Sequence, residues 1–445
     1  MRALALFVAQ TLAVISILAS LLVLAGRHPL RVDLSPDRGL TLSPHTRQVL
    51  GGLRGEVRAT AFTSNQEQAI RQQIVDLLRL YSDAQPLVTT RMLDLDRSPG
   101  EAERLGVSNY NVVVLESDGR RERIDPVTEE NLTAGLLGVS GRSTLVAYVV
   151  QGHGEPDVHD ITQRSASGDA AAALTSDGFD VRPLRGAARI PPDAGLVVLA
   201  GPTHELQPAE VDALDAYVRG GGRLLVLVDT EAPRSVLGLL DRFGIQAGKD
   251  IVVDQDAKLF GADGLSARVA YLNEKLVPDR PAASALLPLA QSIRLEERPG
   301  IEAEYLAVTD ETTWADVGGR PHGTERVFRA GTDRVGPLPV GAVVRVPAGE
   351  REGRLVAIGD SNFISNFQLG VLGNRDLLLV AAEVAARGDR ALTAPRRRPT
   401  NAGPFSTLAL TAREARAVFW AACVLPAMLL GIAAAVVALR RRRTA

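Results

Sequence analysis

Apolar and polar positions follow three distinct rhythms along this chain, and each predicts a different kind of element. Two uncharged apolar runs, residues 3–26 and 417–439, have the roughly 20-residue length that crosses ~30 Å of hydrocarbon. They predict one transmembrane helix near each end. Short runs with no polar alternation, at 145–150, 195–200 and 223–228, predict parallel strands covered on both faces. A helical spacing of Ile70, Ile74, Leu77, Leu78 and Tyr81 predicts an amphipathic helix over 66–81. Another is predicted over 208–219, with Pro208 in its first turn, Val211, Leu214, Tyr217 and Val218 on one face, and three glycines to end it.

These elements fall into two packed α/β domains between the apolar ends. Strands at 56–62 and 87–94 bracket the first helix, and 110–116 and 120–124 flank Asp118-Gly119, a two-residue turn signal for a hairpin. This gives a small α/β domain over 40–140. Its order resembles thioredoxin-like folds, but without a Cys-x-x-Cys the resemblance carries no redox chemistry. The apolar strands and intervening helices then give a doubly wound parallel sheet over 144–390, with an insertion or lid at about 255–340. Strands at 342–346 and 354–359 and a helix at 375–386 rejoin it. Residues 391–416, with Pro395-Arg396-Arg397-Arg398-Pro399, form a stiff linker into the second apolar run.

Charge bears on orientation and partners. Arg2 and Arg440 to Arg443 favour both termini in the cytoplasm, which predicts an inner-membrane protein with two spans and an extracytoplasmic body. Val23-Leu24-Ala25 would suit signal cleavage, but the first run exceeds the 7 to 15 residues of a usual signal core and reads as an anchor. A net charge of -2 gives no basic footprint for nucleic acid. The single cysteine, Cys423, lies in the second run, so the body has no disulfide, thiolate nucleophile or Cys-based zinc site.

Candidate chemistry sits where such sheets bind ligands, outside the carboxyl ends of strands. Gly152-His153-Gly154-Glu155 follows the strand at 145–150, and Asp157, His159 and Asp160 continue it. The set reads as a structural turn, as a ligand or partner loop, or as a site for zinc or manganese. Asp360, Ser361 and Asn362 follow the strand at 354–359. Gly359-Asp360-Ser361 opens the signature of one class of serine esterases, yet no histidine follows His322 to activate the serine. Asp94-x-Asp96-x-Ser98 lacks the glycine and the bidentate glutamate of a calcium loop. No phosphate-loop motif is present, and no cofactor is expected.

The order of motifs carries a resemblance. The first apolar run, Leu42-Ser43-Pro44-His45-Thr46, Leu93-Asp94-Leu95-Asp96-Arg97-Ser98-Pro99, Gly152-His153-Gly154-Glu155, Gly359-Asp360-Ser361 with Asn366, Gly373-Asn374-Arg375-Asp376 and the Arg-capped final run together look like the GldG-like auxiliary proteins of ABC transport systems, first associated with gliding motility. Glu383-Val384-Ala385-Ala386 departs from the Trp-containing end usual there. The resemblance implies a noncatalytic subunit beside a separate permease and ATPase, and a middle domain similar to degenerate class I amidotransferase folds. The expected function is mechanical coupling of that machinery to a substrate or envelope partner. The alternatives are a ligand- or glycan-sensing module and a metal-dependent hydrolase.

Overall fold

The computed structural model describes residues 41–141, 145–254, 264–277, 285–317, 326–388 and 391. Helix α1 (Pro44–Gly51) opens the described chain, with Pro44 in its first turn and the Ser43 hydroxyl accepting from the Thr46 N–H at 3.2 Å. Strands β1 (Val57–Thr63) and β2 (Val88–Asp94) are parallel, a pairing that needs a crossover. Helix α2 (Gln68–Ala84) supplies it and buries Ile74, Leu78 and Tyr81. After α3 (Pro99–Leu105), β3 (Val112–Ser117) runs antiparallel to β1 and turns into β4 (Arg120–Ile124). Asp118 and Gly119 both take positive φ, 46° and 76°, as the expected hairpin turn requires. The order β2-β1-β3-β4 is backed by α4 (Glu129–Val139).

A second sheet begins with β5 (Leu145–Gln151), β6 (Phe179–Arg185), β7 (Ala194–Ala200) and β8 (Arg223–Leu227), all parallel. Helices α5 (Gly168–Ser176) and α6 (Pro208–Arg219) are two of the connections, and α7 (Arg234–Arg242) follows β8. Side chains of β8 alternate between two cores: Leu225 and Leu227 join one, Leu224 and Val226 the other. This double burial explains why its sequence shows no polar alternation.

The expected all-parallel, doubly wound sheet is corrected by what comes next. Short strands β9 (Ile245–Ala247), β10 (Ile251–Val253), β11 (Ser266–Leu272), β12 (Leu286–Pro288) and β13 (Ile293–Leu295) precede β14 (Glu302–Thr309), β15 (Trp314–Asp316) and β16 (Arg334–Val335). Then β17 (Pro339–Ala348) and β18 (Arg351–Ile358) form a hairpin through Gly349, at φ 65°. The large sheet runs β12-β11-β14-β17-β18-β8-β7-β5-β6. Only the half from β18 to β6 is parallel; a two-residue link between β17 and β18 leaves no room for a crossover and forces antiparallel pairing. Strands β11, β12 and β14, from the segment expected as an insertion, extend this same sheet. The closing helix α8 (Asn374–Arg387) is buried along almost its whole length.

The transmembrane part of the expected fold class, and the two-span inner-membrane location built on it, are also corrected. Among the described residues no helix is long and apolar enough to cross a membrane. The runs at 3–26 and 417–439 and most of the linker at 391–416 lie outside the described residues.

Candidate functional site

Because β5, β7, β8 and β18 are parallel, their carboxyl ends share one edge of the sheet, and each ends in a polar loop. The loop after β8 supplies Asp229, and the one after β18 supplies Asp360, Ser361 and Asn362. Asp229 accepts the Ser361 N–H on Oδ1 at 2.7 Å and the Ser361 hydroxyl on Oδ2 at 2.6 Å. Asp360, fully buried, accepts the Asn362 N–H at 3.0 Å and the Phe363 N–H at 3.1 Å, which start a short 3-10 turn. The Asn362 amide reaches both carboxylates, at 3.0 Å from Asp360 and 3.4 Å from Asp229. Burial pushes the Asp360 carboxyl well above its ordinary pKa, and the neighbouring Asp229 charge adds to that. Burial also raises Asp229, against the opposing hydrogen bonds from Ser361.

Close approach at this edge requires glycine. Gly201, directly after β7, takes φ 59°, and a Cβ there would collide with the Ser361 side chain. Gly154 takes φ 87°, and a Cβ there would collide with Thr203.

The loop after β5 is closed by its own side chains. His153 Nδ1 lies 3.1 Å from Glu155 Oε1, and Nε2 lies 3.0 Å from Glu210 Oε2. Glu155 also accepts the His153 N–H at 2.6 Å. Glu210 belongs to the capping box of α6 and accepts the N–H groups of Gln207 and Ala187, both at 2.8 Å. Burial opposes its ionisation, but those two bonds and His153 outweigh it and hold the carboxyl below its ordinary pKa. The His153 carbonyl accepts the N–H groups of Thr203 and His204, each at 2.8 Å, tying the β5 and β7 loops together. With both ring nitrogens facing carboxylates, His153 has none left over for a metal ion or a substrate.

The remaining candidates do not converge on His153. Asp157 Oδ1 accepts the His159 N–H at 2.8 Å, and the His159 side chain stands exposed. Asp160 Oδ1 accepts the Thr162 hydroxyl and N–H, both at 2.7 Å, and the Gln163 N–H at 3.1 Å. The Thr162 hydroxyl first, then the two N–H groups, holds the Asp160 carboxyl below its ordinary pKa. No group of three His, Cys, Asp or Glu side chains is placed to hold a metal among the described residues.

Two motif residues act as cross-braces. Asn366 donates to the carbonyls of Asp160 at 2.9 Å and Gln163 at 2.8 Å, and its side-chain oxygen accepts the Asp169 N–H at 3.0 Å. Asn374 accepts the Leu286 N–H at 2.7 Å and donates to the Gln368 carbonyl at 2.9 Å, fixing α8 against β12. In the small domain Glu129 accepts the Ser43 N–H and the Thr46 hydroxyl, each at 2.7 Å, while His45 pairs with Asp177 at 3.6 Å. A cleft of about 480 Å³ between β4, α4 and β6, lined by Arg123, Asp125, Asp177 and Arg387, contains none of the candidates.

Sequence reading missed Asp229, Gly201 and Glu210. Asp229 carries the same signal as Asp360, a lone carboxylate just past an apolar parallel strand. Glu210 carries the signal of a capping box, the third residue of a helix that Gln207 caps.

The chain is thus a mixed α/β body whose strand-end loops are braced by their own carboxylates. The family described as "ABC-type uncharacterized transport system" matches residues 146–381, over half of the chain, and the protein belongs to that family of auxiliary components of ABC-type transport systems. No curated protein matches it. Among solved structures it is similar to the mmIFT52 N-terminal domain, at 17% identity and a TM-score of 0.40 over 55% of this chain and 99% of that one. It is also similar to a putative ThuA-like protein from Parabacteroides merdae, at 16% identity and a TM-score of 0.33 over 60% and 96%. A third is the exo-beta-1,4-mannosidase Op5Man5 from an Opitutaceae bacterium, at 12% and 0.31 over 75% and 51%.

Proposed function

We infer that this chain is a noncatalytic accessory subunit that couples the permease and ATPase of its transport system to a further protein or substrate through the loops at the strand ends. The order of its motifs supports the GldG-like type within the family. One observation carries the reading: Ser361, His153 and the carboxylates beside them spend their polar groups in bracing loops to one another. The Ser361 hydroxyl donates to the half-buried Asp229 carboxylate, and among the described residues no histidine hydrogen-bonds to it; His153 is held between Glu155 and Glu210. Such saturation suits a rigid docking platform, whereas a nucleophile needs a base within reach and a free face.

The test is co-expression of the full chain with the tagged permease and ATPase subunits of its transport system, followed by size-exclusion chromatography. Co-elution is expected, together with no ATPase, glutaminase or esterase turnover by the purified chain alone. Turnover that disappears in His153→Ala would overturn the noncatalytic reading.

A further inference from the structure

We propose that Phe367, Arg164 and Ile161 form a preorganised docking knob for another protein subunit of the same transport system, one that presents a carboxylate beside apolar side chains. Ile161 and Phe367 are 66% and 55% exposed, although each is a large apolar side chain. They lie on two loops far apart in sequence that Asn366 clips together, and the clip is reinforced by backbone bonds from Asn366 N–H to the Ala166 carbonyl and from Phe367 N–H to the Arg164 carbonyl, at 2.8 and 3.1 Å.

The guanidinium carbon of Arg164 sits 3.7 Å from the centre of the Phe367 ring. Stacking uses the flat face of a guanidinium and leaves its N–H groups available for a carboxylate. Among the described residues no carboxylate pairs with this exposed arginine. An aromatic ring and an arginine fixed together match the side chains that dominate protein interfaces. Because the loops are already braced, binding would cost little ordering entropy. Charge complementarity therefore selects an acidic, apolar protein surface as the occupant, and family membership places that surface on another component of the transport system. This rests on the accessory-subunit reading above.

The experiment uses the full chain co-expressed with the tagged permease and ATPase subunits, and reads the amount of chain captured. Phe367→Ser and Arg164→Glu are each expected to lower capture by about tenfold, as loss of a central aromatic or arginine anchor does. Arg164→Lys, which keeps the charge but loses the flat stacking face, should fall between the unaltered chain and Arg164→Glu, and Ile70→Ser, at an exposed apolar position on α2, should change nothing. Unchanged melting temperatures of all four variants would show that folding is not what failed. If the unaltered chain is captured and both knob variants are captured equally well, the knob proposal falls while the accessory reading stands. If the unaltered chain is not captured at all, both fall. A loss of self-association in Phe367→Ser with capture intact would assign the knob to a second copy of this chain and overturn the proposal.

Discussion

Asp229 and Ser361 are joined by two hydrogen bonds, at 2.7 and 2.6 Å, across the carboxyl ends of the neighbouring parallel strands β8 and β18. The pair makes one unit of two loops separated by 132 positions in the chain. Ser361→Ala removes the hydroxyl half of that unit and leaves a mostly buried carboxylate oxygen short of a donor. A loss of about 1–3 kcal/mol is expected, measured by urea denaturation. A change within about 0.5 kcal/mol, typical of surface substitutions, would show that water replaces the hydroxyl.

Asp360 gives a pH dependence with a defined sign. Its folded pKa is raised, by burial first and by Asp229 second, so the folded chain favours the protonated carboxyl. The resulting stability is fully present below the ordinary aspartate value of 3.8 and is lost as pH rises through the elevated folded value. Asp360→Asn cannot ionise. The stability of the variant relative to the unaltered chain should therefore improve steadily as pH is raised across that window. Denaturation curves at several pH values check this, and a difference that stays flat would mean that folding does not raise the Asp360 pKa.

His153 separates two carboxylates, and its removal leaves Glu155 and Glu210 facing a hole. His153→Ala removes both ring contacts; at about 1 kcal/mol for each lost hydrogen bond a cost of about 2 kcal/mol is expected, together with loosening of the loop that Thr203 and His204 grip. His159→Ala, on an exposed side chain of the same loop, should stay within about 0.5 kcal/mol. Thermal melts of the two variants side by side provide the comparison; equal losses would remove the distinction drawn between these two histidines.

Asn366→Ala deletes three side-chain hydrogen bonds. At about 1 kcal/mol each, the expected cost is about 3 kcal/mol, and residues 157–168 should become the first site of limited proteolysis. Hydrogen exchange of the Asp169 N–H offers a local readout. If it is as slow in the variant as in the unaltered chain, Asn366 is not the clip.

Elements whose signal is local were legible in the sequence. Helix α6 occupies the span that Pro208 and the three glycines predicted, and Asp118-Gly119 turns where a type I′ hairpin is expected. Strand β6 was not seen, because Pro183 and the charged Asp180, Arg182 and Arg185 break its apolar run. Its place at the sheet edge explains why proline is tolerated there. The hairpin of β17 and β18 is legible as strands at 342–346 and 354–359, whereas the outer antiparallel strands are not, for a different reason. Strands β11, β12 and β14 are short or irregular, with shifts in register between β14 and its neighbours, and their pairing is set by tertiary contacts rather than by a repeating pattern. At the candidate site the sequence indicated where carboxylates gather, but not that each would be satisfied from within the chain: His153 meets Glu210 only because the first turn of α6 comes up to the loop after β5.

The clip made by Asn366 reaches back 206 positions to Asp160. A nascent or truncated chain ending before β18 would already carry residues 157–168, yet it would lack the piece that gives them their shape. The surface around Phe367 is therefore present only when β18 and the turn after it have docked against residues 157–168. A partner that docked on it would bind chains folded through Phe367 and pass over fragments that end before β18.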